Sequence, residues 1–126
     1  MRAVDTNVLV RLLVRDDPEQ VKLAERFVAP GAWVSHLVLA ETSWVLSAVY
    51  GLRHAAIATT IEMLLGHATL TVHDASVVAA ALAHYRRRPS LGFSDCLVLE
   101  IARSSGHVPL GTFDKALGKI DGTERL

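Results

Sequence analysis

Ala32-Trp33-Val34-Ser35-His36-Leu37-Val38-Leu39-Ala40-Glu41-Thr42-Ser43-Trp44-Val45-Leu46 passes from a short β-prone run into a long apolar one. Ala32 to Ser35 reads as a strand, and Leu37 to Tyr50 as a largely apolar helix closed by Gly51. One residue does not suit that helix. Glu41 stands among Leu37, Val38, Leu39, Trp44, Val45 and Leu46, so a solvated polar face is a poor explanation for its charge.

The same alternation extends upstream. Arg2 to Asp5 forms a short apolar start of strand type, and Val8 to Val14 suits a following helix interrupted by Arg11. Asp16 or Asp17 before Pro18 and Glu19 supplies N-cap chemistry, so a second helix is expected to run to about Val28, ended by Pro30 and Gly31. Downstream, Ile57, Ile61, Leu64 and Leu65 make the apolar stripe of a helix over Arg53 to Leu65, stopped by Gly66. Leu70 to Val72 reads as a third strand, handing over at His73 and Asp74 to a helix with Val78, Ala81, Leu82 and Tyr85 on one face. That helix ends at Arg86, Arg87, Arg88 and Pro89. Ser94 is a candidate cap for a helix through about Arg103, Val108 to Gly111 a fourth strand, and Thr112-Phe113-Asp114 the entry to a final short helix.

Strands alternating with helical segments predict an α/β fold, with a short, mostly parallel sheet covered by helices on both faces. No repeat, low-complexity tract or Pro/Gly linker divides the 126 residues, so one domain over 1–126 is expected. At 51% apolar and 21% charged the composition is globular, which excludes disordered and fibrous classes. The 13 Lys and Arg balance the 13 Asp and Glu, so no global field attracts nucleic acid, and any such binding must come from a local patch or from metal ions. Near-zero charge with a surplus of apolar residues also favours a dimer or a stable partner. Cys96 is alone, which excludes a disulfide framework and fits a reducing compartment, the cytoplasm by default. Asp5 and Arg11 interrupt the N-terminal apolar stretch, so it lacks a signal-peptide core, and no run approaches the roughly 18 apolar residues of a membrane span.

Four acidic residues lack the ordinary explanation of a cap or a polar face. Asp5 follows the first strand, Glu41 lies near the start of the helix after the second, Asp95 opens a late helix, and Asp114 follows the last strand. In an open parallel sheet these strand ends and helix starts share one edge, so the four carboxylates are candidates to converge. Convergence raises carboxylate pKa values and costs stability unless a cation neutralises the cluster. Oxygen ligands without a Cys or His set at zinc spacing favour Mg²⁺, with Mn²⁺ as a substitute, and Mg²⁺ commonly takes phosphate oxygens as further ligands.

Val4-Asp5-Thr6-Asn7-Val8-Leu9, Glu41-Thr42-Ser43-Trp44-Val45-Leu46, Phe93-Ser94-Asp95-Cys96-Leu97 and Thr112-Phe113-Asp114-Lys115 resemble, in order and spacing, the four signature blocks of PIN domains. Each block alone is weak; four in register across nearly the whole chain are a strong signal. The compact length most resembles the VapC-type toxins of toxin-antitoxin pairs. The resemblance implies a three-layer α/β/α fold with four to five strands. It also implies a Mg²⁺-dependent endoribonuclease acting on single-stranded or loop RNA and leaving a 5′-phosphate. By the same resemblance Asp5, Glu41, Asp95 and Asp114 hold one or two ions, with Asp5 and Asp95 as the foremost direct ligands, and a cognate antitoxin protein is the expected inhibitor. Thr6, Asn7, Ser94 and Thr112 flank the acids and are candidates to orient carboxylates or bound water.

Three of the four acids, all but Glu41, also have a plain structural explanation. Asp5, Asp95 and Asp114 suit helix starts, and the three arginines suit the negative end of a helix dipole better than they suit RNA. The six histidines show no metal-ligand spacing, Cys96 has no activating base beside it, and Trp33 and Trp44 are expected in a core or an interface. Two other functional classes compete. An RNA-processing nuclease or a silent RNA-binding scaffold would keep the fold without the toxin role, although all four acids are retained. A phosphotransfer protein of receiver or haloacid-dehalogenase type also carries strand-end acids, but Thr6-Asn7 follows Asp5 where the dehalogenase pattern needs a second Asp, and no late strand-end Lys serves a receiver.

Overall fold

Strands β1 (Arg2–Ala3), β2 (Ala32–Val34) and β3 (Leu70–Val72) lie side by side in that order, all parallel. The computed structural model describes all 126 residues and divides them into two compact units, Met1–Ala75 and Ser76–Leu126. In the first unit the register pairs Ala3 with Trp33 and Val34 with Val72, so all three strands reach their carboxyl ends at one edge. Side chains alternate across the sheet: Val4, Ala32, Val34, Leu70 and Val72 are buried, whereas Ala3 and Thr71 are exposed and Trp33 is half-buried.

Two helices follow β1 and two follow β2. Helix α1 (Thr6–Val14) is capped by Asp5, and α2 (Pro18–Val28) by Asp17, whose Oδ1 accepts from the Gln20 N–H at 3.2 Å, with Pro18 pre-set in the first turn. Ser35 caps α3 (His36–Ala48), its Oγ accepting from the Val38 N–H at 3.1 Å; α4 (His54–Leu65) has no side-chain cap. Helix α1 packs on α2 and α3, and α3 on α4, around Leu9, Leu39, Leu46 and Ile61, each 0–2% exposed. Truncating one of these to Ala typically costs about 2–5 kcal/mol.

The second unit contains α5 (Ala75–Arg87), α6 (Phe93–Ser104), β4 (Leu110–Thr112), a 3₁₀ turn (Leu117–Lys119) and β5 (Thr123–Arg125). Strands β4 and β5 are parallel, pairing Leu110 with Thr123 and Thr112 with Arg125. Tyr85 on α5 meets Phe93 on α6 edge to face at 5.8 Å. Glu100 is 7% exposed on α6, yet it is not orphaned: Arg103 Nε donates to it at 3.0 Å and His84 Nε2 lies 3.2 Å away. Arg103 Nη2 also donates to the Asp121 carbonyl at 2.6 Å, which ties α6 to the segment entering β5.

The parallel α/β fold is the one that the alternation predicts, with five strands. Local differences have local causes. The fourth strand begins at Leu110 rather than Val108, because Pro109 has no N–H for the ladder and the first bond is Leu110 N–H to the Gly122 carbonyl. Helix α6 is preceded by Gly92 with no side-chain cap, so Ser94 lies inside the first turn and is not the cap expected of it. The final short helix is a single 3₁₀ turn, Leu117–Lys119, with Gly118 at its centre. Strand β5 makes the upper of the four to five strands that the resemblance implies, but Thr123-Glu124-Arg125 shows no apolar alternation that would place it.

Candidate functional site

In the first unit, the residues leaving the three strands line the carboxyl edge of the sheet. Asp5 follows β1, Ser35 follows β2 and His73 follows β3, and the His73 N–H still bonds to the Val34 carbonyl at 3.0 Å. Asp5 Oδ1 accepts from the Val8 N–H at 3.3 Å, which caps α1 and aims the carboxylate at the helix start. The capping explanation and the functional one do not exclude each other: one oxygen serves the helix, and Oδ2 has no hydrogen bond.

Thr6 joins the second acid to this edge. Its Oγ1 donates to Glu41 Oε2 at 3.1 Å, across 35 positions of sequence, leaving Oε1 without a hydrogen bond. Glu41 is thereby held beside Thr6, the residue after Asp5, and the caps of the two helices, Asp5 and Ser35, both follow strands at this edge. Glu41 is exposed, and the apolar neighbours that made it conspicuous do not bury it. Leu37 and Trp44 share its side of α3 at 69% and 67% exposure, so this face is open although its sequence is apolar. Asn7 forms no hydrogen bond with the acids; it lines a shallow groove between α1 and α2 with Val8, Arg11, Leu23 and Phe27.

Asp95 and Asp114 belong to the second unit. Asp95 is the third residue of α6, half-buried, and its Oδ2 lies 3.5 Å from where a Cβ on Gly92 would stand, so it folds back over that glycine. The free N–H groups of the first helical turn favour its charge. Asp114 is held by its loop: its N–H donates to Thr112 Oγ1 at 3.0 Å, and its Oδ1 accepts from the Leu117 N–H at 2.8 Å. Thr112 therefore holds the Asp114 backbone, whereas Thr6 holds the Glu41 carboxylate itself. Ser94 makes no comparable contact with Asp95.

Within neither unit do three or more His, Cys, Asp or Glu side chains meet in a geometry suited to one ion. The donors present still fit a hard divalent cation. Mg²⁺ is usually held by one or two carboxylates, the rest of its octahedron being water and phosphate oxygen, and Asp5 and Glu41, each with one oxygen uncommitted, are donors of that kind.

The other titratable groups are quieter. The Cys96 thiol is pushed up to about 11, chiefly by burial and then by the Asp95 charge beside it, so it stays protonated and unreactive. Arg86 and Arg87 end α5, where the helix dipole favours cations. The histidines are less scattered than their spacing implies. His36 Nε2 donates to the His73 carbonyl at 2.7 Å, and their rings approach to 5.1 Å at the same edge as Asp5. Only strand pairing, invisible in spacing, could have shown this.

A family model for the PIN domain matches residues 2–123, a span that runs through both units. No curated protein matches the chain. No helix is long and apolar enough to cross a membrane.

Proposed function

Because the chain belongs to the PIN-domain family, we propose that it is a Mg²⁺-dependent endoribonuclease cutting unpaired RNA. PIN domains are generally nucleases and usually use divalent metal. The observation that carries the reading here is the Thr6 to Glu41 hydrogen bond, which sets Glu41 beside the residue following Asp5. In this reading Asp5, Glu41, Asp95 and Asp114 are the residues that would hold metal. A bound Mg²⁺ supplies an acidified water and positive charge for the leaving oxygen of a phosphodiester.

The chain's own residues do the positioning. Asp5 is fixed by its cap bond to Val8, Glu41 by Thr6, and Asp114 by Thr112 and the Leu117 N–H. Each keeps an oxygen free of the bond that orients it, so the carboxylates are pre-aimed without being neutralised. No histidine is needed as a base.

We assign the cellular role to the toxin of a toxin-antitoxin pair, acting as a homodimer and silenced by a cognate antitoxin protein. The support is zero net charge combined with open apolar side chains on several helices, among them Leu23, Leu37, Trp44 and Met63. The test is cleavage of a fluorescent single-stranded RNA by wild type and Asp5→Asn with and without chelator. Cleavage abolished by both is expected; cleavage indifferent to both rejects the proposal. An inactive wild type that still binds RNA would instead indicate a silent scaffold.

A further inference from the structure

Phe113 is 81% exposed, more than any other large apolar side chain in the protein. Exposure of a phenyl ring costs hydrophobic free energy that burial would recover. The residues on either side of it are held. Thr112 is locked in the β4–β5 ladder, with the Leu126 N–H donating to its carbonyl at 2.9 Å, and Asp114 is pinned on both sides by the Thr112 hydroxyl and the Leu117 N–H. Phe113 lies between two fixed residues and projects into solvent next to a candidate metal ligand.

Cations without side-chain partners occur in the same short segment and the strand beside it. Lys115, Lys119 and Arg125 make no ion pair or hydrogen bond through their side chains, and Arg125 stands opposite Thr112 in the ladder. The Arg125 stem lies on Gly118 so closely that a Cβ there would come within 2.8 Å of Arg125 Cβ. That close approach holds the stem of Arg125 against Gly118, in a residue whose ladder partner, Thr112, immediately precedes Phe113.

From this we infer that Phe113 is a stacking platform for an unpaired nucleobase of the RNA strand, with Arg125 and Lys115 meeting the adjoining phosphates. An aromatic ring takes any base by its π-face, and only an unstacked, single-stranded base can reach it. Local cations supply the phosphate attraction that the neutral chain lacks as a whole. The inference rests on the RNA-cutting reading of Asp114 but tests separately from it.

The experiment uses the full chain and a single-stranded RNA carrying one 2-aminopurine, whose fluorescence falls on stacking, in chelator to prevent cleavage. Wild type and Phe113→Trp are expected to bind and quench. Phe113→Ala and Phe113→Leu should bind at least about fivefold more weakly, the lower bound for one stacked base, and lose the quench. In Mg²⁺ the same loss should appear in KM, with kcat little changed. Equal binding by Phe113→Leu and wild type would overturn stacking, as would an alanine variant altered only in oligomeric state. Phe113-dependent quenching without any cleavage would sustain this inference and defeat the nuclease reading; cleavage with a Phe113→Ala KM equal to wild type would do the reverse.

Discussion

Thr6→Val removes the hydroxyl that holds Glu41 and keeps nearly the same shape. The bond is 3.1 Å and exposed, so its loss should cost little stability, about 0.5 kcal/mol at the low end for hydrogen bonds. The functional cost should be larger. Freed from Thr6, the Glu41 side chain regains its rotamers, and removing a group that orients a metal ligand typically costs about 10–100-fold in metal affinity or activity. The assay is cleavage rate against Mg²⁺ concentration for wild type, Thr6→Val and Thr6→Ser, with thermal melts alongside. Thr6→Val should need at least tenfold more Mg²⁺ while melting almost normally, and Thr6→Ser should recover. A valine variant with an unchanged Mg²⁺ dependence, in a protein that Asp5→Asn inactivates, would refute the positioning role.

Other substitutions separate structural from chemical duties. Asp114→Asn should keep the cap on the Leu117 N–H and its stability but lose activity, whereas Asp114→Ala should also lose about 1 kcal/mol, measured by urea unfolding. Glu100→Ala removes the partner of His84 Nε2 and of Arg103 Nε and should destabilise by about 2 kcal/mol, less than a fully buried pair because the Arg103 side chain is 37% exposed and keeps its bond to the Asp121 carbonyl. Cys96, raised from an ordinary 9.0 to about 11, binds its proton more tightly folded than unfolded. Its contribution is therefore complete below about pH 9 and lost as pH rises to about 11, on the order of 2 kcal/mol. Denaturation midpoints should fall across that window in wild type and less steeply in Cys96→Ala.

The parallel α/β plan was legible because hydrophobic period changes from strand to helix at short intervals, and strand β3 falls where Leu70-Thr71-Val72 puts it. Asp17 with Pro18 marked the start of α2 by chemistry that needs no tertiary context. What stayed hidden depends on pairing. The β5 residues earn their strand only by lying beside β4, and the link between Thr6 and Glu41 spans 35 positions. Glu41 was conspicuous for its apolar neighbours, yet Leu37 and Trp44 proved open to solvent, because a face apolar in sequence is buried only if another element covers it. Of the residues flanking the acids, Thr6 bonds to the Glu41 carboxylate and Thr112 to the Asp114 backbone, while Asn7 and Ser94 make no hydrogen bond to them.

Titration calorimetry of Mn²⁺ into the full-length protein, wild type against Asp5→Asn and Glu41→Gln, bears most directly on the acidic edge. Saturable binding by wild type, weakened at least tenfold in each variant, is the predicted result. Equal Mn²⁺ affinity in all three proteins, or none in the wild type, would contradict it.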